Sequence, residues 1–349
     1  MKIAFCTRPL KSQHQGRGVG TYTRLLFAAL KKEHKNLTIQ EFNIDVPEDV
    51  DLVHYPFFDP FFLTLPVFKK KPTVVTVHDL TPLIFPQHFK SGLKGSVRWQ
   101  IQKLALYRSQ HVLTDSHSSS VDIKKTVGID AKKISVVYLA ANEIYQPLKK
   151  NEIEITAKRY QINKNYFLYV GDVNWNKNIP GLLRAFALFR EKYPSLNVKK
   201  LLLVGGSFLE SNLPEVTIIR EVIKNLCLEK DVVFLGQVND TQLCHLYNLA
   251  YVYIQPSFYE GFGLPLLEAM SCGCPILSSN TSSLPEISGK AAVYFDPVSV
   301  DSILEAMEKS IFWSEKEYYQ QSQSALLQSK QFTWKKTVQE TIKAYEKTI

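Results

Sequence analysis

Long apolar runs are missing from this 349-residue sequence. Stretches such as residues 201–204 and 73–77 are of strand length, far short of the ~20 residues that a helix needs to cross a bilayer. A secretory leader pattern is missing too: the chain opens directly on a strand-like run, Lys2–Cys6, without a basic region, apolar core and small-residue cleavage site. Cysteine is scarce. The five, at positions 6, 227, 244, 272 and 274, are odd in number and lack disulfide or zinc spacing; Cys272-Gly-Cys274 is too close for a redox or metal pair. Buried structural thiols in a reducing, cytoplasmic setting are the expectation. There is no short-period repeat, and no basic-aromatic RNA motif or recognition-helix signature, so nucleic acid is not expected as a partner.

What is present describes a well-filled α/β protein. Hydrophobic residues make up 45% and charged residues 21%, and the length suits about two domains of ~150 residues. The 42 basic residues exceed the 33 acidic ones by 9, an excess compatible with anionic substrates or lipid. Short β-branched runs alternate with longer amphipathic ones, the pattern of parallel sheets covered by helices. Strands are expected at 2–6, 39–42, 52–54, 73–78, 111–114 and 134–137, with helices at 20–32, 97–108 and 118–127. In the helix at 20–32, Leu25, Leu26 and Leu30 should face inward. Residues 148–160 read as a linker and a short helix. The alternation then restarts, with strands at 166–170, 200–204, 232–235, 251–255, 275–278 and 292–295 and a helix at 180–192. A last helix, 334–347, carries Val338, Ile342 and Tyr345 on one face. Two doubly wound units place a ligand cleft at the carboxyl ends of their strands.

The most informative stretch is Pro256–Met270. A strand ends near Gln255, a glycine-bearing loop follows, and a helix opens with Pro265 in its first turn. No side chain stands ready to cap that helix, so a diphosphate could take its first N–H groups and gain from the positive end of the dipole. Gly261 and Gly263 allow close approach of a bulky anion. Helical side chains lean toward the N-terminus, so Glu268 points back at whatever the loop holds, where a carboxylate suits two ribose hydroxyls. Glu260, before the loop, could face a sugar on the distal phosphate. Taken singly, each favours the plainer reading of a solvated loop glutamate or a helical surface glutamate; together with the loop they favour the functional one.

This stretch resembles the E-x7-E signature of the retaining glycosyltransferase family 4, the mannosyltransferase-like group 1 glycosyltransferases. The resemblance extends over essentially the whole chain, through Gly16-Arg-Gly-Val-Gly20, His78-Asp79, Gly171–Asn178 and Pro285-Glu286. It implies the GT-B fold, two Rossmann-like domains facing each other across a cleft. An acceptor-side domain would span 1–150, a nucleotide-sugar domain 151–330, and a terminal helix at 331–349 would cross back onto the first domain. It implies a hexosyltransferase that moves a mannose- or glucose-type sugar from a nucleoside diphosphate to a glycan, lipid-linked or small-molecule acceptor. It assigns Glu260 to the donor sugar, Glu268 to the ribose, and the amides of Gly261, Phe262, Gly263 and Leu264 to sugar and phosphates. Gly18, Gly171, Gly205 and Val238 join the donor set. No cofactor or metal is implied, because a helix terminus and basic side chains stand in for the cation; Asp49-Val-Asp51 spells a metal-binding D-x-D in the wrong context.

Lys177, between a strand and a helix opened by Asn178 and Pro180, is placed as a point charge on the donor phosphates, with a solvated helix-start lysine as the bland alternative. The family often carries arginine just before this lysine and a basic residue just after the glycine; here these are Asn176 and Asp172. Arg17 is the candidate for the missing phosphate contact. Gly18 and Gly20 do not complete a dinucleotide fingerprint, since position 23 is Thr; the Glu41 that such a fingerprint would use is weak support by itself. His78 ends a strand, and the resemblance gives it the transferred sugar to orient, against the alternative of a core histidine. With no nucleophile evident, the implied mechanism is same-face attack in which the departing phosphate oxygen takes the acceptor proton. Tyr55–Phe62 and the basic helix Arg98–Arg108 could face a sugar or an anionic membrane, or equally be core and solvated face. The remaining alternatives are another GT-B enzyme, such as a nucleotide-sugar epimerase, and a catalytically silent nucleotide-sugar-binding or scaffold subunit; a phosphorylase would need a cofactor lysine in a much longer chain.

Overall fold

The computed structural model describes residues 1–11, 18–33, 37–160, 162, 165–196, 198 and 200–349. The chain divides into two compact units, one formed by Met1–Ala140 with Phe332–Ile349 and the other by Ala141–Gln331.

In the first unit the elements run β1 (Lys2–Cys6), α1 (Gly18–Glu33), β2 (Thr38–Phe42), β3 (Leu52–Tyr55), β4 (Thr73–Thr76), α2 (Thr81–Ile84), α3 (Gly92–Tyr107), β5 (His111–Thr114), α4 (His117–Val127) and β6 (Ile134–Val136). They build a parallel six-stranded sheet in the order β2-β1-β3-β4-β5-β6. Strands β3, β4 and β5 are buried along their whole length, as strands covered on both faces must be. On α1, Leu26 and Leu30 are fully buried as expected, but Leu25 is only half-buried; Tyr22, Thr23 and Ala29 complete the inward face. Helix α3 starts five residues before the expected Val97. Gly92 and Gly95 disguised that first turn, yet a Cβ on Gly95 would collide with Ser91, so the glycine serves close packing. Of Tyr55–Phe62, Tyr55 and Phe58 belong to the core and Phe62 is exposed.

In the second unit follow α5 (Lys150–Arg159), β7 (Tyr166–Val170), α6 (Ile179–Lys192), β8 (Lys200–Val204), α7 (Pro214–Asn225), β9 (Val232–Gly236), α8 (Asp240–Leu249), β10 (Val252–Gln255), α9 (Leu264–Ser271), β11 (Ile276–Ser279), α10 (Leu284–Ser288), β12 (Ala292–Phe295), α11 (Val300–Ile311) and α12 (Glu315–Ser329). The sheet order is β12-β11-β10-β7-β8-β9, again all parallel. The divide falls ten residues before position 150. Residues 141–149 belong to the second unit because Leu148 N–H donates to Asn248 Oδ1 (2.8 Å), Asn248 Nδ2 donates to the Gln146 carbonyl (3.0 Å), and Tyr145 packs edge-on against Tyr247. Four cysteines are buried, but Cys227 is exposed just past the end of α7, at φ 54°, so the expectation of buried thiols fails there.

The last helix, α13 (Trp334–Glu346), belongs to the first unit and buries Val338, Ile342 and Tyr345. A line of polar contacts pins it. Tyr345 OH meets His54 Nδ1 at 2.7 Å, His54 Nε2 meets Thr76 Oγ1 at 2.9 Å, and Thr76 Oγ1 meets Tyr22 OH at 3.1 Å. Burial, with the charge of His78 adding to it, pulls His54 down to about 3, so this ring is neutral. Both its nitrogens are satisfied, as a buried polar group requires.

Candidate active site

The carboxyl ends of the second sheet bring together several of the donor residues inferred from sequence, though not Gly18, which lies in the first unit. Gly171 follows β7, Gly205 follows β8, Val238 lies beyond β9, and Glu260 lies beyond β10. A Cβ on Gly205 would collide with the Gly171 carbonyl oxygen, and one on Gly171 would collide with the Tyr169 hydroxyl. Between β7 and β10 the strand order reverses direction, and that is where doubly wound sheets take ligands.

The loops from these two neighbouring strands are stitched together. Trp175 stacks on Phe258 with centroids 5.0 Å apart, Phe258 N–H donates to the Asn176 carbonyl (2.8 Å), and Asn176 Nδ2 donates to the Tyr259 carbonyl (2.9 Å). Asn178, in the left-handed region at φ 52°, donates from Nδ2 to the carbonyls of Pro256 (3.2 Å) and Pro297 (2.7 Å). Asn176 is buried and bridges the two loops through these bonds. Asp172 turns back on its own chain, its Oδ1 accepting Val173 N–H at 2.8 Å.

Across the seam, Lys177 Nζ donates to both oxygens of Glu260, at 2.9 and 2.7 Å. Gln255 Nε2 (2.9 Å) and Ser257 Oγ (2.7 Å) also donate to Glu260 Oε1. The loop after β11 closes on the same residue: Ser282 Oγ accepts Glu260 N–H at 2.9 Å, and Ser283 Oγ donates to the carbonyls of Glu260 and Phe262. Glu260 is only 8% exposed, and Lys177, Gln255 and Ser257 each meet its side chain with a donor. All three donors crowd Oε1, while among the described residues Oε2 accepts from Lys177 alone.

Helix α9 begins at Leu264 with Gly263 as its N-cap, at φ 95°, and no side chain caps it. A side chain at 263 would be strained by that dihedral, and its Cβ would press on Leu284. Gly261 and Phe262 are buried beside it and Leu264 is half-buried. One turn on, Glu268 is 7% exposed and accepts a hydrogen bond from Tyr247 OH at 3.1 Å. Burial pushes its carboxyl up to about 8, and the Tyr247 hydrogen bond offsets this only in part.

In the first unit, His78 lies just beyond β4, which ends at Thr76 rather than at the expected His78; the ladder continues one step through Val77 N–H to the Leu113 carbonyl. Its Nδ1 is 2.6 Å from Asp115 Oδ2, and the Tyr22 ring stands edge-on 4.6 Å away. Sequence reasoning missed Asp115. The signal available was its place after β5, the neighbour of β4. Asp79 turns away to accept Thr81 N–H at 2.8 Å and so starts α2. Burial pulls the His78 imidazole down, but the charge and hydrogen bond of Asp115, with Asp79 behind them, outweigh it and hold the ring above its ordinary value.

Gly18 opens α1 with open space around it. Arg17 and Gly16 lie outside the described residues. The Asp49-Val-Asp51 motif binds the start of β1: Lys2 Nζ pairs with Asp49, and Lys2 N–H donates to Asp51 at 2.8 Å. Glu41 forms an exposed ion pair with Lys31. Among the described residues no group of three or more His, Cys, Asp or Glu side chains is arranged to hold a metal ion, and no helix is long and apolar enough to cross a membrane.

Residues 14–142 match the Glycosyltransferase Family 4 model, and residues 152–325 match the model described as Glycosyl transferases group 1. The chain is 34% identical over 282 residues to O-antigen chain mannosyltransferase B of Escherichia coli, covering 78% of this chain and 70% of that protein. It is 30% identical over 235 residues to O-antigen chain mannosyltransferase RfbU of Salmonella typhimurium, covering 67% of this chain and 59% of that one. Of the serotype-specific mannosyltransferase WbdA of E. coli, 28% identical over 285 residues, it spans about a third, 34%. Among solved structures, sucrose-phosphate synthase from Thermosynechococcus elongatus superposes with a TM-score of 0.77 over 99% of this chain and 98% of that one; at 19% identity this likeness bears on the fold. The matched models, the alignment to mannosyltransferase B and the two parallel sheets together mean that the chain belongs to the family 4, group 1 glycosyltransferases and is a glycosyltransferase of the GT-B fold.

Proposed function

We propose that this enzyme transfers a mannosyl group from a nucleoside-diphosphate mannose to a saccharide acceptor, with retention of anomeric configuration and without a metal ion. The observation that carries the reading is the part-buried Lys177–Glu260 pair at the switch point, beside the uncapped α9 and the buried Glu268. The sugar comes from the relatives, which are mannosyltransferases of O-antigen chains. Glu268 takes the ribose hydroxyls, the α9 amides and Lys177 take the diphosphate, and Glu260 takes the sugar. His78 orients the transferred sugar. Glu260 Oε1 already accepts from Lys177, Gln255 and Ser257, whereas among the described residues Oε2 accepts from Lys177 alone, so Oε2 is left to take a sugar hydroxyl. Glu260 serves as a binding group and the departing phosphate oxygen receives the acceptor proton. The protein then contributes positioning and stabilisation of the leaving charge. A catalytically silent binding subunit is disfavoured because these four side chains are all kept.

The first unit offers a surface suited to a lipid-linked acceptor on the cytoplasmic face of a membrane. Between residues 80 and 114 there is no acidic residue, while Lys90, Lys94, Arg98, Lys103 and Arg108 are all present. Leu93 (89% exposed), Val97 (62%) and Leu104 (43%) stand among them on α3, and Arg98 and Arg108 lie over the exposed rings of Phe62 and Phe68. Each such cation contributes on the order of 1 kcal/mol near an anionic surface. Wild type is expected to sediment with phosphatidylglycerol vesicles and not with phosphatidylcholine vesicles, and Lys94→Glu/Arg98→Glu to lose the binding; equal partition to both vesicle types would contradict this contact.

Supplied with GDP-mannose, a mannose-terminated acceptor and excess EDTA, the enzyme should release GDP and leave an α-mannosidic bond, read from the anomeric C–H coupling by NMR. A β-linked product, or activity abolished by EDTA, would contradict retention or metal independence.

Proton linkage tests the ribose assignment. A carboxyl raised from 4.5 to about 8 favours the empty native state only while protonated, so this contribution is full below 4.5 and lost as pH rises through about 8. Ribose hydroxyls donate to the charged form, so nucleotide binding below pH 8 should release a proton and weaken as pH falls toward 6. In calorimetry Glu268→Ala should lose roughly 1.5–3 kcal/mol for nucleotide and nucleotide-sugar alike, together with the proton release. Unchanged affinity in this variant would overturn the assignment.

A further inference from the structure

Two carboxyl groups neighbour the His78 ring, and the one adjacent in sequence is not the one that engages it. Asp79 is committed to the start of α2. Asp115 arrives from the next strand: the parallel register pairs Thr76 with Leu113, and two residues further on each chain stand His78 and Asp115. Asp115 is 3% exposed, and its Oδ2 is 2.6 Å from His78 Nδ1. The turn after it fixes both partners. Ser116 Oγ accepts Ser119 N–H at 3.1 Å to cap α4, and Ser119 Oγ donates to the His78 carbonyl at 3.0 Å. His78 Nε2 is buried and has no partner in good hydrogen-bond geometry, although the Pro56 carbonyl is near enough to favour its protonated form. A buried polar atom left without a partner is costly, and such atoms are the ones a bound group satisfies.

We propose that Asp115 is a positioning residue for His78: its carboxylate keeps the proton on Nδ1, fixes the plane of the ring and leaves Nε2 as the atom that meets a hydroxyl of the transferred sugar. This rests on the reading that His78 serves that sugar. With Nδ1–H committed to Asp115, the proton that titrates is the one on Nε2, which donates to a hydroxyl when the ring is charged and accepts from one when it is neutral. The other titratable groups facing the ring do not compete for this role. Tyr22 is a neutral phenol pushed up by burial, His54 on β3 is neutral, and Asp79 adds a smaller charge in the same direction as Asp115. Burial alone would favour the neutral ring, so Asp115 extends the donor form of Nε2 to higher pH.

Long-range proton–nitrogen NMR on the full chain labelled at imidazole nitrogen reads this directly. His78 in the wild type should carry its neutral-state proton on Nδ1, with a midpoint above that of an ordinary histidine. Asp115→Asn, nearly isosteric, should lower the midpoint by at least one pH unit, a tenfold loss of proton affinity. It should also depress kcat with GDP-mannose by tenfold or more and move the alkaline limb of the pH–rate profile to lower pH, while GDP affinity stays at the wild-type value. A wild-type spectrum showing the Nε2–H tautomer, or an Asn variant with an unshifted His78 midpoint, overturns the proposal, and the wild-type tautomer decides even if the variant fails to fold. Full activity in His78→Ala, alongside the expected spectra, would instead remove the sugar contact and leave the Asp115–His78 pairing standing.

Discussion

The part-buried ion pair between Lys177 and Glu260 is the contact around which the second unit's site is arranged. Each partner comes from a different strand end, and the strands are the neighbours at which the strand order reverses. Leaving either charge alone in so dry a place would be strongly unfavourable, so the two loops must meet. The Asn176, Asn178, Ser282 and Ser283 hydrogen bonds follow from that meeting, because each fixes a piece of backbone that keeps the pair in register. The uncapped helix α9 is in turn set by Gly263, directly after the same loop. An ammonium already beside a carboxylate gains less from an arriving phosphate than a bare lysine does, and the gain is largest when the sugar–phosphate bond breaks and the terminal phosphate takes on charge. That timing suits catalysis better than tight binding of the ground state.

The first unit shows how environment separates residues of one type. His54 and His78 stand at neighbouring strands, both largely withdrawn from water. His54 has two hydroxyl partners and no counter-charge, so burial keeps it neutral and it serves to anchor α13 through Tyr345. His78 has Asp115, and the carboxylate holds it above its ordinary value against the same burial. A histidine in a core is a structural group or a reactive one according to what its nitrogens face, and sequence alone does not give that.

Most strands were legible because parallel sheets buried on both faces write continuous apolar runs such as Tyr166–Val170 and Leu201–Val204. The glycine loop before Pro265 and the position of Glu268 were legible because the strand–loop–helix order is local. What was hidden is non-local. Asp115 is 37 residues from His78 and becomes its neighbour only through strand register. The partnership of Lys177 with Glu260 spans 83 residues, so each was found separately and their mutual contact was not. The start of α3 was obscured by Gly92 and Gly95, whose local preference is overridden by packing, and the early divide at Ala140 depends on Asn248, a hundred residues away from its partner Leu148.

We propose that Lys177 acts on the leaving diphosphate while being held in readiness by Glu260. Steady-state kinetics of Lys177→Met with GDP-mannose tests it most directly, on protein whose circular dichroism matches wild type. The expected result is a kcat lowered about 10²-fold, as for loss of one preorganised electrostatic donor, with a much smaller change in the donor KM. Turnover close to wild type, or a defect confined to KM, would mean that the charge on the leaving group is stabilised elsewhere and that the pair is only a strut between two loops.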